Sequence, residues 1–244
     1  MCAHPSPKRV FIGGGGEGAT LREVLRHPTV EECVMVDIDG DVVNYCRDHM
    51  PGHCAGVYKD PRAKLIIDDC KVQLEGYADG SFDVIIMDLS DPLDGGPCYQ
   101  LYTTAFYTMC MAKLAPGGIF VTQSGCGSTL DADRCFTCVH NTLKQVFPKV
   151  WGYTAHVPSF TSEWSFNIAW KEPASQVRLS LVCRFERRGA RLLSSRGALI
   201  IVQSSVPDGT HADCQPAGPN DHRHRGHRGC AHCGAQDRRQ LEVV

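Results

Sequence analysis

An open α/β sheet, mostly parallel and flanked by helices on both faces, is the fold class this sequence predicts. Three observations carry the expectation. Strand-like apolar runs alternate with helical ones from the first residues onward, the rhythm of parallel strands joined by crossover helices. A glycine-rich loop, "IGGGGEGAT", joins the first strand to the first helix. Acidic residues then recur at the ends of the apolar runs, the edge at which open parallel sheets bind ligands.

The elements follow in order. The apolar run "RVFI" ends at the glycines and leads to the helix "ATLREVLRH"; "CVMVDI" leads to "DVVNYCRDHM", and "AKLII" to "CKVQLEGY". "FDVIIMDL" passes through a loop to "LYTTAFYTMCMAKL", and "GIFVTQ" precedes "DADRCFTCVHNTLKQVF". Two further strands, "VWGYTAHV" and "SFNIAW", bring the total to about seven, the count of a Rossmann-like, methyltransferase-type sheet. Near Ala174 the rhythm stops. Residues 1–174 are therefore expected to form the folded α/β domain and 175–244 a divergent, disordered tail. Within that tail "RFERRGARLLSSRGALIIVQSSV" has room for a strand, whereas "NDHRHRGHRGCAHCGAQDRR" is polar and unpatterned. Its Cys230-x-x-Cys233 offers one metal-like pair where a structural zinc site wants four ligands, so no metal is expected.

The bulk composition narrows the partners. A chain of 244 residues with 43% hydrophobic content can bury a sizeable core, and a net charge of -2 argues against a nucleic-acid binder, which shows a dominant basic surface. No stretch reaches the roughly 18 apolar residues of a membrane span, and "MCAHPSPKRVF" has no signal-peptide core, so a cytoplasmic protein without membrane contact is expected. Of the 14 cysteines, those in the first 174 residues are scattered singly, as at Cys46, Cys70 and Cys110, which suits reduced thiols better than a disulfide framework.

Gly13, Gly15 and Gly18 fit G-x-G-x-x-G between a strand and a helix, with Gly14 inside the loop that faces the ligand. Asp37, at the end of the second strand, lies where an acid holds a ribose diol; the competing reading is a solvated strand end. Glu17 discriminates among nucleotides. A carboxylate beside a pyrophosphate would repel the charge that a helix N-terminus attracts, so dinucleotides are disfavoured. Apart from simply complementing the helix dipole, Glu17 suits a ligand with an ammonium or sulfonium and no anion beside it. Decarboxylated S-adenosylmethionine meets that description, since it lacks the carboxylate of S-adenosylmethionine and ends in an aminopropyl ammonium.

The fourth strand ends in "FDVIIMDLSDPLDGG", which puts Asp88, Asp91 and Asp94 at the carboxyl edge, and Asp69 closes the third strand in "LIIDDC". Acids gathered there point to a cationic substrate, with Asp69 placed for an adenine amino group. Turn chemistry around Pro92 and Gly95 is the alternative for Asp91 and Asp94; Asp88 directly follows an apolar run. An aliphatic amine is protonated at neutral pH, so an enzyme using it as nucleophile must bind the ammonium and remove its proton, and paired carboxylates can do both.

With these residues in hand, the sequence resembles the polyamine aminopropyltransferases, the spermidine/spermine synthase family, and within it the thermospermine type. The resemblance rests on "HPSPKRVFIGGGGEGATLREVLRH", "VMVDIDGDVVNYCR", "DPRAKLIIDDCKVQLE", "FDVIIMDLSDPLDGGPCYQLYTTAFY", "GGIFVTQ", "NTLKQVFPKV" and "HVPSF", from His4 to about Trp170. It implies aminopropyl transfer from decarboxylated S-adenosylmethionine, a co-substrate rather than a prosthetic group, to a polyamine such as spermidine or putrescine. Asp88 would then be the general base; Gly14, Glu17, Asp37, Asp69 and Cys70 would hold the nucleoside co-substrate. Asp91, with Asp88, would bind the polyamine, and Tyr102 and Phe160 would line its channel, core packing being the plainer reading of the two rings. The phrases "GGPCYQLYT" and "NTLKQVF" favour spermidine-to-thermospermine transfer. The family forms homo-oligomers through an N-terminal β-hairpin domain that this chain does not show, and its closing helices give way here to the tail. Two alternatives stand beside this reading: a methyltransferase using S-adenosylmethionine on the same fold, and a truncated nucleoside-binding domain without catalysis.

Overall fold

The structure, a computed structural model, describes residues 1–54, 56–92, 95–128, 130–172 and 199–202. Strands β1 (Arg9–Gly14), β2 (Glu32–Asp37), β3 (Ala63–Ile67), β4 (Phe82–Asp88), β5 (Leu114–Cys126), β6 (Lys149–Val157), β7 (Ser162–Trp170) and β8 (Leu199–Val202) form one sheet in the order β3-β2-β1-β4-β5-β7-β6-β8. The first five run parallel; β7 is antiparallel to β5 and β6, and β8 antiparallel to β6. The seven expected strands are all present. The eighth comes from the segment beyond 174 in which the sequence left room for one, so Leu199–Val202 belongs to the sheet. The remainder of the expected tail, Cys230 and Cys233 included, lies outside the described residues.

Burial explains why these segments become strands. All but the first residue of β1 and the inner four of β2 are buried, as expected where helices cover both faces of parallel strands. Phe11, Val34 and Val36 face one layer while Val10, Ile12, Cys33 and Met35 face the other, the period of two that a strand imposes. Toward β6 and β7 the pattern turns to alternation, with Gly152, Thr154, Ser165 and Asn167 buried between partly exposed neighbours.

Helix α1 (Ala19–Leu25) packs Leu21, Val24 and Leu25 against Val10, Ile12 and Val84 on one face. Helices α4 (Cys70–Glu75), α5 (Thr104–Lys113) and α6 (Phe136–Lys144) bury Leu74, Tyr107 and Leu143 against Phe11, Ile85 and Phe120 on the other. Helix α2 (Gly40–His49) starts where Asp39 accepts hydrogen bonds from the backbone N–H groups of Asp41 and Val42, at 3.0 and 2.9 Å, and it ends with Arg47 and His49 against its negative pole. Pro51–Cys54 (α3) follows it.

Two helical expectations need correction. The run "LYTTAFYTMCMAKL" divides into a 3-10 turn, Tyr99–Tyr102, and α5, because Thr103 takes an extended conformation and caps the helix by accepting from the N–H of Phe106. The run "DADRCFTCVHNTLKQVF" is helical only from Phe136; Asp131 and Ala132 instead close turns onto the Ser128 carbonyl. None of the helices among the described residues is long and apolar enough to cross a membrane.

Phe120 illustrates how the core is held. It is fully buried, edge-on to Tyr107 at 5.4 Å and stacked on Phe147 at 5.7 Å. Phe120→Ala should cost about 3–5 kcal/mol, because the vacated volume, packed between Tyr107 of α5 and Phe147, cannot collapse. Urea unfolding followed by tryptophan fluorescence checks this; a loss below 1 kcal/mol would show that the aromatic cluster is not what holds this side of the sheet.

Candidate active site

The strand order reverses between the parallel strands β1 and β4, and it is outside the carboxyl ends of strands at such a point that open sheets bind ligands. Gly14 and Asp88 are register partners at that point. The Gly15 N–H donates to the Asp88 carbonyl at 3.1 Å, drawing the loop against the end of β4. A Cβ on Gly14 would collide with that same carbonyl, and Gly14 has φ 80, so only glycine lets β1 turn into the loop here.

The carboxylates expected from the sequence meet around this turn. Thr20 donates its hydroxyl to Asp88 Oδ2 at 2.6 Å. Glu17 stands half-buried between Gly16 and Gly18, and its carboxyl is pushed above the usual range, first by burial and next by the negative charge of Asp88. Asp37 binds the loop directly: Oδ2 accepts from the Gly16 N–H and Oδ1 from the Asp39 N–H, both at 2.8 Å. A carboxylate has about four acceptor positions, so two remain for a diol. Tyr58, not expected from the sequence, donates its hydroxyl to the Gly16 carbonyl at 2.7 Å and holds the loop from its other side. Ile38, next to Asp37, is 71% exposed and offers an apolar surface beside the crevice.

Asp69 and Cys70 open α4. The Asp69 carboxylate caps that helix by accepting from the Lys71 N–H at 2.8 Å. The Cys70 thiol is buried beneath the loop, 3.2 Å from where a Cβ on Gly13 would lie, and burial raises its pKa to about 12. It is a neutral, apolar filler at physiological pH.

A second network grows from the residues after Asp88. Gln123, at the carboxyl edge of β5, turns its amide nitrogen toward the Leu89 carbonyl (2.8 Å), Asp91 Oδ1 (3.0 Å) and the Tyr102 hydroxyl (3.0 Å). Its amide oxygen accepts from the Gly125 N–H at 2.8 Å and from the Trp164 indole N–H at 3.1 Å. Tyr102 donates onward to the Ser90 carbonyl at 3.1 Å, and burial holds its phenol well above the ordinary value. Phe160 sits in the 3-10 turn Pro158–Phe160, half exposed, its ring packed 4.4 Å from that of Trp164.

Residues 1–180 match the spermine/spermidine synthase domain family. The chain belongs to that family. It is 48% identical over 167 residues to thermospermine synthase ACAULIS5 of Arabidopsis thaliana, an alignment covering 68% of this chain and 49% of that protein. It is 47% identical over 169 residues to a polyamine aminopropyltransferase of Aeropyrum pernix, covering 69% of this chain and 53% of that one. A crystal structure of spermidine synthase in complex with the transition-state analogue AdoDATO superposes with a TM-score of 0.65 at 33% identity, over 70% of this chain and 57% of that one. Spermidine synthase from Thermotoga maritima gives 0.63 at 32%, over 70% and 56%. The chain thus spans about half the length of the curated relatives it matches.

In this spermidine-synthase-family chain, the expected residues divide into two groups joined by the end of β4. Gly14, Glu17, Asp37, Cys70 and Asp88 gather at the loop; Asp91 and Tyr102 meet at Gln123, with Phe160 reached through Trp164. Asp69 makes no hydrogen bond to either group among the described residues, and Asp94 lies outside them. Sequence reasoning passed over Thr20, Tyr58, Gln123 and Trp164. Gln123 had a usable signal, a polar residue closing the apolar run "GIFVT" at the ligand-binding edge. Tyr58 and Trp164 had none, since their partners lie 42 and 41 positions away.

The pKa of Glu17 dictates a pH-dependent outcome. Its folded value lies above the ordinary 4.5, so ionisation costs the fold stability. The cost is absent below that pH, where both states are protonated, grows as pH rises past it, and is complete above the raised folded value. Glu17→Gln should therefore raise the Tm at pH 7, by roughly 2–4 °C for each kcal/mol recovered, and should gain far less at pH 4. Calorimetry at both pH values checks this; an equal gain at both would show that Glu17's charge is not the cause.

Proposed function

We propose that this chain carries out aminopropyl transfer from decarboxylated S-adenosylmethionine to an amine of spermidine, giving thermospermine, and that residues 1–174 are the catalytic unit. One observation carries the reading: Glu17 and Asp88 both stand at the glycine loop, where Asp88 is tied to Gly15 and Thr20, and burial with the charge of Asp88 pushes the Glu17 carboxyl above its usual range. Such a pair is relieved by a cation. A co-substrate ending in an ammonium supplies one, whereas S-adenosylmethionine would bring a carboxylate against it, which weighs against the methyltransferase alternative. The family match, the Arabidopsis relative and the polar surroundings of Asp91 support the same choice.

The chemistry needs little beyond alignment and proton removal. Asp37 takes the ribose diol and Glu17 the aminopropyl ammonium, while the glycine loop and Cys70 shape the nucleoside side. Asp91 holds an ammonium of the polyamine, with Tyr102 and Phe160 along its chain. Asp88 removes the proton from the attacking amine, whose lone pair then displaces the thioether from the carbon beside the sulfonium. Positive charge is dispersed as this bond forms, so holding the reactants in line and excluding water supply most of the acceleration.

Calorimetric titration of the chain with the two nucleosides tests the co-substrate. The parent should prefer the decarboxylated form, and Glu17→Gln should narrow that preference by about 1–3 kcal/mol. Equal affinities in the parent would end the aminopropyl reading. Chromatography of the product from spermidine separates thermospermine from its linear isomer spermine.

Asp88→Asn should lower turnover about 10²–10⁴-fold with little change in nucleoside affinity, whereas Asp91→Asn should raise the KM for polyamine. Steady-state kinetics separates the two. Near-parental turnover by the Asp88 variant would remove it as the base.

A further inference from the structure

We propose that Thr20 is a positioning residue for the amine-deprotonating step, fixing one oxygen of the Asp88 carboxylate so that the other is presented to the acceptor amine. The inference rests on Asp88 being the base, as read above, and adds a residue that nothing in that reading required.

The geometry is specific. A helical threonine has two common rotamers because its hydroxyl can return to the carbonyl four residues earlier. For Thr20 that carbonyl belongs to Gly16, and the Tyr58 hydroxyl already donates to it at 2.7 Å. The Thr20 hydroxyl goes instead to Asp88 Oδ2, at 2.6 Å, within the short range of a hydroxyl bound to a carboxylate. This oxygen is wedged against the loop, 3.5 Å from where a Cβ on Gly15 would lie. The main chain of Asp88 is held by the same loop, through the Gly15 N–H. The backbone of Asp88 is therefore tied to the β1–α1 turn and its side chain to α1, by two separate bonds. Asp88 Oδ1 accepts no hydrogen bond among the described residues, and the side chain is only partly buried.

A free carboxylate at the end of a strand rotates about its terminal torsion, which is broad for aspartate. A general base must meet its proton within hydrogen-bond reach and in line, and displacements near 1 Å can cost about 100-fold. The Thr20 hydroxyl removes that rotation. It also assigns the two oxygens different tasks, one structural and one chemical. The hydroxyl belongs to α1 and the carbonyl clamp to the loop, so a nucleoside settling on the loop sets the base at the same time.

Thr20→Val keeps the shape and removes the donor; Thr20→Ser keeps the donor and removes the methyl group. With decarboxylated S-adenosylmethionine and spermidine, Thr20→Val should lower kcat roughly 10- to 100-fold, leave the KM for the nucleoside within about twofold, and be largely rescued in Thr20→Ser. Equal damage by both variants would overturn the proposal, because loss would then follow packing and not the hydroxyl; so would an unchanged kcat in Thr20→Val. Crystal structures of the parent and Thr20→Val supply a readout free of turnover. The Asp88 carboxylate should keep one orientation in the parent and turn or split in the variant, and an identical orientation in both would overturn the positioning role. A parent that forms no product while showing the expected difference in Asp88 would instead remove the aminopropyl reading and leave the clamp standing.

Discussion

Two backbones approach each other more closely at Gly14 and Asp88 than any side chain would permit, and the rest of the site depends on that approach. The parallel register of β1 with β4 puts the two residues side by side, and the Gly15 N–H closes the gap by donating to the Asp88 carbonyl. A substituent at Gly14 would enter the space of that oxygen. From this single constraint follow the direction of the loop, the position of Glu17 within it and the entry of α1 beneath Asp88. The strain of a positive φ at Gly14 is one that glycine adopts freely.

The loop is then held from several sides by groups that differ in chemistry. Asp37 grips the Gly16 N–H, Tyr58 the Gly16 carbonyl, and Thr20 reaches across to Asp88. Each tie satisfies a polar group that the crevice would otherwise leave bare. The outcome is a rigid frame in which acids are brought closer than they would choose. Glu17 registers the cost, since burial and the charge of Asp88 both disfavour its ionised form. In the proposed reaction a cationic ligand would offset that cost on binding, which would give selectivity a physical source.

The second network works by neutral hydrogen bonding. Gln123 connects Asp91, Tyr102, the Leu89 carbonyl, Gly125 and Trp164 through one amide. An amide donates at one end and accepts at the other, so it can join a carboxylate to an indole N–H without adding charge. Asp91 thereby gains a fixed direction. The consecutive residues from Asp88 to Asp91 link the two networks, and the two halves of the proposed reaction meet along four positions of one chain segment.

The sequence by itself determined the elements and their class. Strand periodicity, the glycines between a strand and a helix, and acids at strand ends are local features, and a local pattern survives whatever the partners turn out to be. The placement of Asp37, Asp88 and Glu17 at the glycine loop was legible for that reason, since it follows from the two or three residues on either side of each. Only the tertiary structure decided what each acid touches. Thr20 lies 68 positions from Asp88 and Tyr58 lies 42 from Gly16, and no local pattern encodes such distances. The same limit applied at the sheet's far edge, where Leu199–Val202 becomes a strand because β6 offers it unpaired backbone groups. Propensity along the chain sets which segments can be strands or helices; hydrogen bonds and packing between distant segments settle which residues meet, because those energies exist only once the chain has closed upon itself.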